Sequence, residues 1–263
     1  MDTPKQTGIA AHVKRRTITT LATASADPDL IAVLLPRLSQ DEQNRHATLR
    51  LFPNRRDYVL AHLLLRSELS RWYPDTPLTG WAFERTDTGK PILSRARHPA
   101  LGDIDFSLTH TGEMVACAIT NYGLVGIDAE RRDRKINLAR LARDVLTLKE
   151  RTRIARQAQA AQSEVFIRHW TLKEASLKAI GIGLNADLTT LQCHFSEDPP
   201  SGQPMIKVEG LAKSLTMPDL ANRHFELFEM PDHCIALAHL MAQTDVTAEI
   251  NHLELEAFLD QKA

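Results

Sequence analysis

The sequence predicts an α+β fold of two similar halves, each a long helix followed by several short strands. A strong amphipathic pattern over residues 54–72, carried by Val59, Leu60, Leu63, Leu64 and Trp72, marks one helix, and residues 166–184 mark a second. After each come short runs of strand-forming residues, set apart by Gly and Pro turns. The order helix-then-strands therefore appears twice, over 54–120 and over 163–240. This divides the chain into an N-terminal half (29–124) and a C-terminal half (125–243), flanked by a weakly ordered appendage (1–28) and an acidic helical tail (244–263). A ligand is expected in the crevice between the halves.

In chain order, residues 1–28 are rich in Thr, Ala and Ser without sustained periodicity, so little order is expected there. Residues 30–35 suit a short helix or strand ending at Pro36, and Ser39-Gln40-Asp41-Glu42 reads as an N-cap with an acidic first turn. The helix over 54–72 stops ahead of Pro74, because the residue before a proline is pushed out of helical geometry. Asp87-Thr88-Gly89-Lys90-Pro91 has turn composition. Residues 103–109 alternate Ile104, Phe106 and Leu108 with Asp105, Ser107 and Thr109, as a half-buried strand does, and His110 stands at its end. Residues 114–120 and 124–130 read as two strands joined in a hairpin through Asn121-Tyr122-Gly123. Residues 137–157 read as a helix with Leu138, Leu141, Val145 and Leu148 on one side. Gly181 and Gly183 end the helix over 166–184, and short strands are expected at 188–195, 205–208, 225–230 and 234–238.

Composition narrows the function classes. The 263 residues are 43% hydrophobic and 25% charged, as in ordinary globular proteins. A formal net charge of −1 offers no global attraction to nucleic acid or to a membrane surface, so an anionic ligand must be held by a local cluster. No apolar run approaches the roughly 20 residues of a membrane-spanning helix. Cys117, Cys193 and Cys234 are odd in number and far apart, with no CxxC. That pattern suggests neither a disulfide framework nor a zinc site and suits a reducing, cytoplasmic compartment.

Two short motifs carry the chemistry. In the strand over 124–130, alternation puts Val125, Ile127 and Ala129 on one face and Gly126, Asp128 and Glu130 on the other. Carboxylates side by side on a sheet face repel and call for a cation, supplied by Arg or Lys, as in the basic stretch 131–135, or by a metal. On the second helix, Trp170, Glu174 and Lys178 share one stripe at i, i+4 and i+8. Alone, Glu174 and Lys178 would be an exposed pair worth roughly 0.3 kcal/mol. Combined with Asp128 and Glu130 they make a divalent-cation site chemically sensible. Oxygen-only ligands suit magnesium, which keeps several waters and takes phosphate oxygens to complete its shell. Lys90, Arg55, Arg56 and His110 would hold the rest of a phosphorylated substrate. The residues by themselves favour Mg2+-dependent phosphoryl chemistry.

Gly126-Ile127-Asp128-Ala129-Glu130 followed by Trp170-Thr171-Leu172-Lys173-Glu174-Ala175-Ser176-Leu177-Lys178 resembles the paired GxDxE and WxxKEAxxK signature of the 4'-phosphopantetheinyl transferase superfamily. Gly89-Lys90-Pro91 and Phe106-Ser107-Leu108-Thr109-His110-Thr111 lie upstream in the family's order, with Thr109 where a serine is usual. The layout over 30–240 is similar to the Sfp type, a monomer of two pseudo-twofold halves, each a long helix packed on a small antiparallel sheet. The resemblance implies that Asp128, Glu130 and Glu174 bind Mg2+. It implies that Arg55, Arg56, Lys90, Thr109, His110, Lys173 and Lys178 serve the coenzyme A end, with Glu174 or a metal-bound water as base and Lys178 at the transferring group. The activity implied is transfer of 4'-phosphopantetheine from coenzyme A to a serine of an apo acyl or peptidyl carrier protein, releasing 3',5'-ADP. Such carriers serve fatty-acid, polyketide or nonribosomal-peptide synthesis, and residues 144–162 are the stretch expected to meet them. Trp170 is expected to pack its helix against the sheet. The alternative is a non-catalytic coenzyme A or nucleotide binding module with a regulatory or assembly role.

Overall fold

A computed structural model describes residues 14–135, 137–182, 186–196, 205–210, 222–241 and 249–260. The described chain opens with β1 (Arg16–Ala22). Asp27 then caps α1 (Pro28–Leu34) by accepting from the Leu30 amide at 2.8 Å. A 3-10 turn (Leu35–Arg37) leads to the Ser39/Glu42 capping box of α2 (Gln40–Thr48), and α3 (Phe52–Trp72) is the first long helix. β2 (Phe83–Arg85) and β3 (Pro91–Leu93) form a small ribbon. β4 (Asp105–Thr111) and β5 (Met114–Thr120) form a hairpin that turns at Gly112, whose φ of 58° suits a residue without Cβ. β6 (Leu124–Arg131), α4 (Leu138–Val145), α5 (Leu148–Ala155) and α6 (Gln159–Ile180) follow. The chain continues through β7 (Gln192–Ser196), β8 (Met205–Glu209), β9 (Asn222–Glu229), β10 (His233–Met241), β11 (Glu249–Leu253) and α7 (Leu255–Asp260).

Two main sheets organise these elements, one in the order β11-β1-β5-β4 and one in the order β6-β10-β9. α3 lies on the first, its buried Leu60 and Leu64 in one cluster with Phe106, Val115 and Ile119. α6 lies on the second, with Leu172, Ala175 and Ala179 against Ala236, Ala238 and Leu240. Ile18, Ala116 and Ala118 from the first sheet meet Val125, Ile127, Ile235 and Leu237 from the second, so the sheets pack face to face between the helices. This is the α+β, helix-on-sheet arrangement the sequence predicts.

The sequence expectation fails at four places. Residues 16–22 are not part of a weakly ordered appendage: β1 pairs antiparallel with β5 and parallel with β11. Its run of Thr and Ile, which looks like biased composition, is β-branched strand sequence, and Ile18 and Leu21 are fully buried. Residues 1–13 lie outside the described residues. The tail is not simply helical, since β11 extends the first sheet before α7 buries Leu255 and Phe258. β5 and β6 are not a hairpin: both edges of β5 are taken by β1 and β4, and β6 pairs with β10. The chain crosses at Gly123, φ 79°, where a Cβ would come 2.2 Å from the Leu240 carbonyl oxygen. Residues 137–157 are two helices, parted at Leu146-Thr147, where Thr147 and Glu150 make a second capping box. Gly181 ends α6 in left-handed geometry, and Gly183 lies outside the described residues.

A polar strut links the two sheets. From β1, Arg16 donates to His239 Nδ1 at 3.1 Å and to Glu226 Oε1 at 2.6 Å. His239 Nδ1 must therefore accept, which leaves its Nε2–H to donate to the Tyr122 carbonyl at 2.8 Å. Burial pushes this imidazole down to about 4; the Tyr122 hydrogen bond opposes the shift and the Arg16 charge adds to it. A histidine with a depressed folded value contributes stability that is present above the unfolded value and lost as pH falls through the folded one. The difference from the ordinary value near 6.5 corresponds to roughly 3 kcal/mol. Thermal melts are thus expected to fall between about pH 6.5 and pH 4, and His239→Gln is expected to flatten that slope. A wild-type melting temperature that stays level across the window would contradict this.

Candidate active site

Gly126 permits the seam on which the site is built. It lies on β6 against α6, and a Cβ there would stand 1.9 Å from the Ala175 carbonyl oxygen and 2.4 Å from the Ala179 amide nitrogen. Only glycine lets strand and helix approach this closely. Strand alternation turns Asp128 and Glu130 to the same side as Gly126, and helical spacing carries Trp170, Glu174 and Lys178 past them. Lys178 Nζ donates to Asp128 Oδ1 at 2.7 Å, and Thr109 Oγ1 reaches the same atom from β4 at 3.1 Å. Arg134 Nη1 donates to Glu130 Oε1, and its guanidinium carbon lies 5.2 Å from the centre of the Trp170 ring. Glu174, half-buried, engages no hydrogen bond or ion pair among the described residues.

The electrostatics follow from that crowding. Burial raises the Glu174 carboxyl above the usual carboxylate range; the Asp128 charge adds to the shift and Lys178 opposes it. Burial also raises Glu130, against the Arg134 hydrogen bond and with the Asp128 charge. Three carboxylates face two cations here, so the seam holds an excess of negative charge that a further cation would relieve. The donors are all oxygens, a set that suits a hard divalent ion. Lys178 and Arg134 have side chains 32% and 45% exposed, so both can swing into solvent. As they stand, the three carboxylates are not gathered about one point: among the described residues no three acidic, histidine or cysteine side chains form a metal-binding group.

The residues expected to face coenzyme A separate into places. Arg56 and His110 share one carboxylate, Asp57 on α3. Arg56 Nε donates to Asp57 Oδ1 at 2.8 Å, and His110 Nδ1 lies 3.9 Å from Oδ2. Arg56 also donates to the Gly112 carbonyl at 2.9 Å, and Thr23 to Asp57 at 3.0 Å, so this group sits at the β4–β5 turn. Arg55 turns away to the Leu49 carbonyl at the end of α2, 2.7 Å off. Lys90 donates to Asp105 Oδ2 at 2.8 Å and to the Ala179 carbonyl at 3.1 Å, serving the C-terminal turn of α6.

Lys173 requires a correction. It is fully buried on another side of α6, and its ammonium is saturated by Glu150 Oε2 at 2.6 Å and the carbonyls of Val145 at 2.8 Å and Leu188 at 3.2 Å. It cannot reach a ligand at the seam. Trp170 packs against the cluster of Val145, Ile154 and Phe166, which also takes in Cys234 of β10, and its ring stands edge-on to Phe166 at 5.5 Å.

A family model described as the 4'-phosphopantetheinyl transferase superfamily matches residues 124–238, the stretch that contains β6, α6 and β10. The 4'-phosphopantetheinyl transferase HetI of a Nostoc species is 30% identical over 168 residues, which cover 64% of this chain and 69% of that protein. The chain belongs to the 4'-phosphopantetheinyl transferase superfamily. Other phosphopantetheinyl transferases align with it as well. That of a Thraustochytrium species is 26% identical over 227 residues, covering 81% of this chain and 74% of its own length. The 4'-phosphopantetheinyl transferase gsp of Aneurinibacillus migulanus is 33% identical over 126 residues, 48% of each chain.

Three groups at or behind this candidate site escape the sequence reading. Asp57 carries no signal beyond a charge within an amphipathic helix. Asp105 accepts from the Val125 amide at 2.7 Å as well as from Lys90. The alternation of β4 already places it on one face with Ser107 and Thr109, which reach Ile127 and Asp128 of β6 in turn. Glu150 is the third position after the cap at Thr147, a spacing from which its capping box could have been read.

Proposed function

We propose that the protein transfers 4'-phosphopantetheine from coenzyme A to a serine of an apo carrier protein, and that the seam between β6 and α6 is where it does so. The observation that carries this reading is the Gly126-permitted approach that sets Asp128, Glu174 and Lys178 beside one another. Asp128, Glu130 and Glu174 would hold Mg2+, with Lys178 and Arg134 moving aside; bound there, the ion would supply charge neutralisation to the pyrophosphate of coenzyme A. Arg56 and His110, at the β4–β5 turn, and Lys90, on exchanging Asp105 for a phosphate, would bind the nucleotide end, with Thr109 between them and the seam. The carrier serine oxygen bonds to the β-phosphorus, the bond to the departing 3',5'-ADP breaks, and Glu174 takes the serine proton. Lys178 meets the charge that develops on the transferring group. Incubation with coenzyme A, Mg2+ and a panel of apo carrier proteins tests this, read by mass spectrometry as a phosphopantetheine adduct. Measured coenzyme A binding with no adduct on any carrier would leave only the binding-module reading.

We also place the carrier on α5. An open groove of about 490 Å³ is lined there by Leu148, Lys149, Thr152, Arg153 and Arg156, and Leu148 is 70% exposed. An exposed leucine ringed by cations suits a helix that is apolar on one line and acidic beside it. Arg153→Glu with Arg156→Glu is expected to raise KM for the carrier about tenfold, the equivalent of roughly 1.4 kcal/mol, and to leave KM for coenzyme A unchanged. An unchanged carrier KM would move the docking surface elsewhere.

A further inference from the structure

The ion pair between Lys173 and Glu150 has both side chains 1% exposed or less. Five hydrogen bonds, the one between the two side chains included, tie it to the elements around it. Lys173 Nζ holds the Val145 carbonyl at the end of α4, Glu150 on α5 and the Leu188 carbonyl in the turn before β7. Glu150 accepts in addition from the Thr147 amide at 2.8 Å, at the start of α5, and from the Cys193 amide of β7 at 2.7 Å. α4 and α5 have eight residues each, too few to be stable alone, so their tertiary attachments fix their position. Hydrophobic residues of like volume often serve stability as well as a buried ion pair does, so stability alone is a weak reason for this one. What it provides is direction: donors and acceptors set the α4–α5 corner at one distance and angle from α6. The next residue of α6 is Glu174.

We infer that Lys173 and Glu150 are a positioning pair that holds the carrier-docking groove of α5 in register with Glu174, so that the pair governs use of the carrier protein and not of coenzyme A. The inference rests on the transferase reading and on α5 as the docking face. It accounts for a lysine beside the acid of the motif that no ligand can touch.

The test uses the full chain with coenzyme A and the apo carrier protein modified fastest by the wild type. Lys173→Met and Glu150→Gln are expected to raise KM for the carrier at least tenfold, with KM and the calorimetric Kd for coenzyme A within twofold of wild type. Each single variant leaves one buried charge unpaired, so the double variant Lys173→Met/Glu150→Gln is the deciding one. It should recover the melting temperature lost by the singles yet keep the raised carrier KM. Recovery of both together would make the pair a stability device and overturn the inference. A raised Kd for coenzyme A with an unchanged carrier KM would also overturn it, and would return Lys173 to the nucleotide. No transfer by the wild type to any carrier sinks the transferase reading and this inference with it, whereas wild-type transfer with an unmoved carrier KM in all three variants overturns the inference alone.

Discussion

Glu174→Gln is expected to lower kcat/KM by about 10² to 10⁴ while the fold stays intact. The side chain is half-buried and engages no partner among the described residues, so the amide replaces the carboxylate without orphaning a neighbour. Stability should hold or rise. Burial and the Asp128 charge raise the Glu174 carboxyl, and a carboxylate with a raised folded value contributes stability that is present at low pH and lost as pH rises through that value. The ionised form is therefore a cost at neutral pH that glutamine removes. A circular dichroism spectrum and a melt establish the fold, and single-turnover transfer reads the step. Wild-type turnover in the variant would remove Glu174 as the base.

Local signals were legible in proportion to how local their cause is. The caps at Ser39 and Gly181, the long helix α3 and the alternation of β4 each arise within a few residues, and each stands where the pattern puts it. Pairing partners do not arise locally. β1 is a strand because β5 and β11, about a hundred and more than two hundred residues away, offer it edges, and nothing in Arg16–Ala22 names them. The same limit explains Lys173. Helical spacing places it beside Glu174 in sequence, but about 100° around the axis, and which of the two meets the strand depends on the closeness that Gly126 allows. The Lys178–Asp128 contact was within reach of periodicity, because strand and helix periods each fix one of its partners. The role of Asp57 was not, because it becomes a hub only when α3 is laid beside the β4–β5 turn.

Gly126→Ala is expected to destabilise the protein by about 3 kcal/mol or more, at the upper end of overpacking costs. The added methyl would stand 1.9 Å from one backbone atom and 2.4 Å from another. Backbone atoms cannot escape by changing rotamer, so α6 must move away from the sheet by more than an ångström, which draws its own fully buried Leu172 and Ala175 off Ala236, Ala238 and Leu240. In a chain of this size that penalty corresponds to a fall in melting temperature of roughly 6 to 12 °C. Gly102→Ala supplies the control: its Cβ meets nothing within 4 Å, and the melt should not move. The effect on transfer should exceed the effect on stability. Widening the seam separates Lys178 from Asp128 and Glu174 from both, and a displacement of about 1 Å in such a site costs on the order of 10² in rate even in molecules that remain folded. The two losses can be told apart by assaying well below the lowered melting temperature. If the variant melts with the wild type and transfers normally, then strand and helix are not held this close and the construction of the site around Gly126 is wrong. If it melts lower but transfers normally when cold, the seam is structural, and the acids of β6 act without the geometry that α6 imposes.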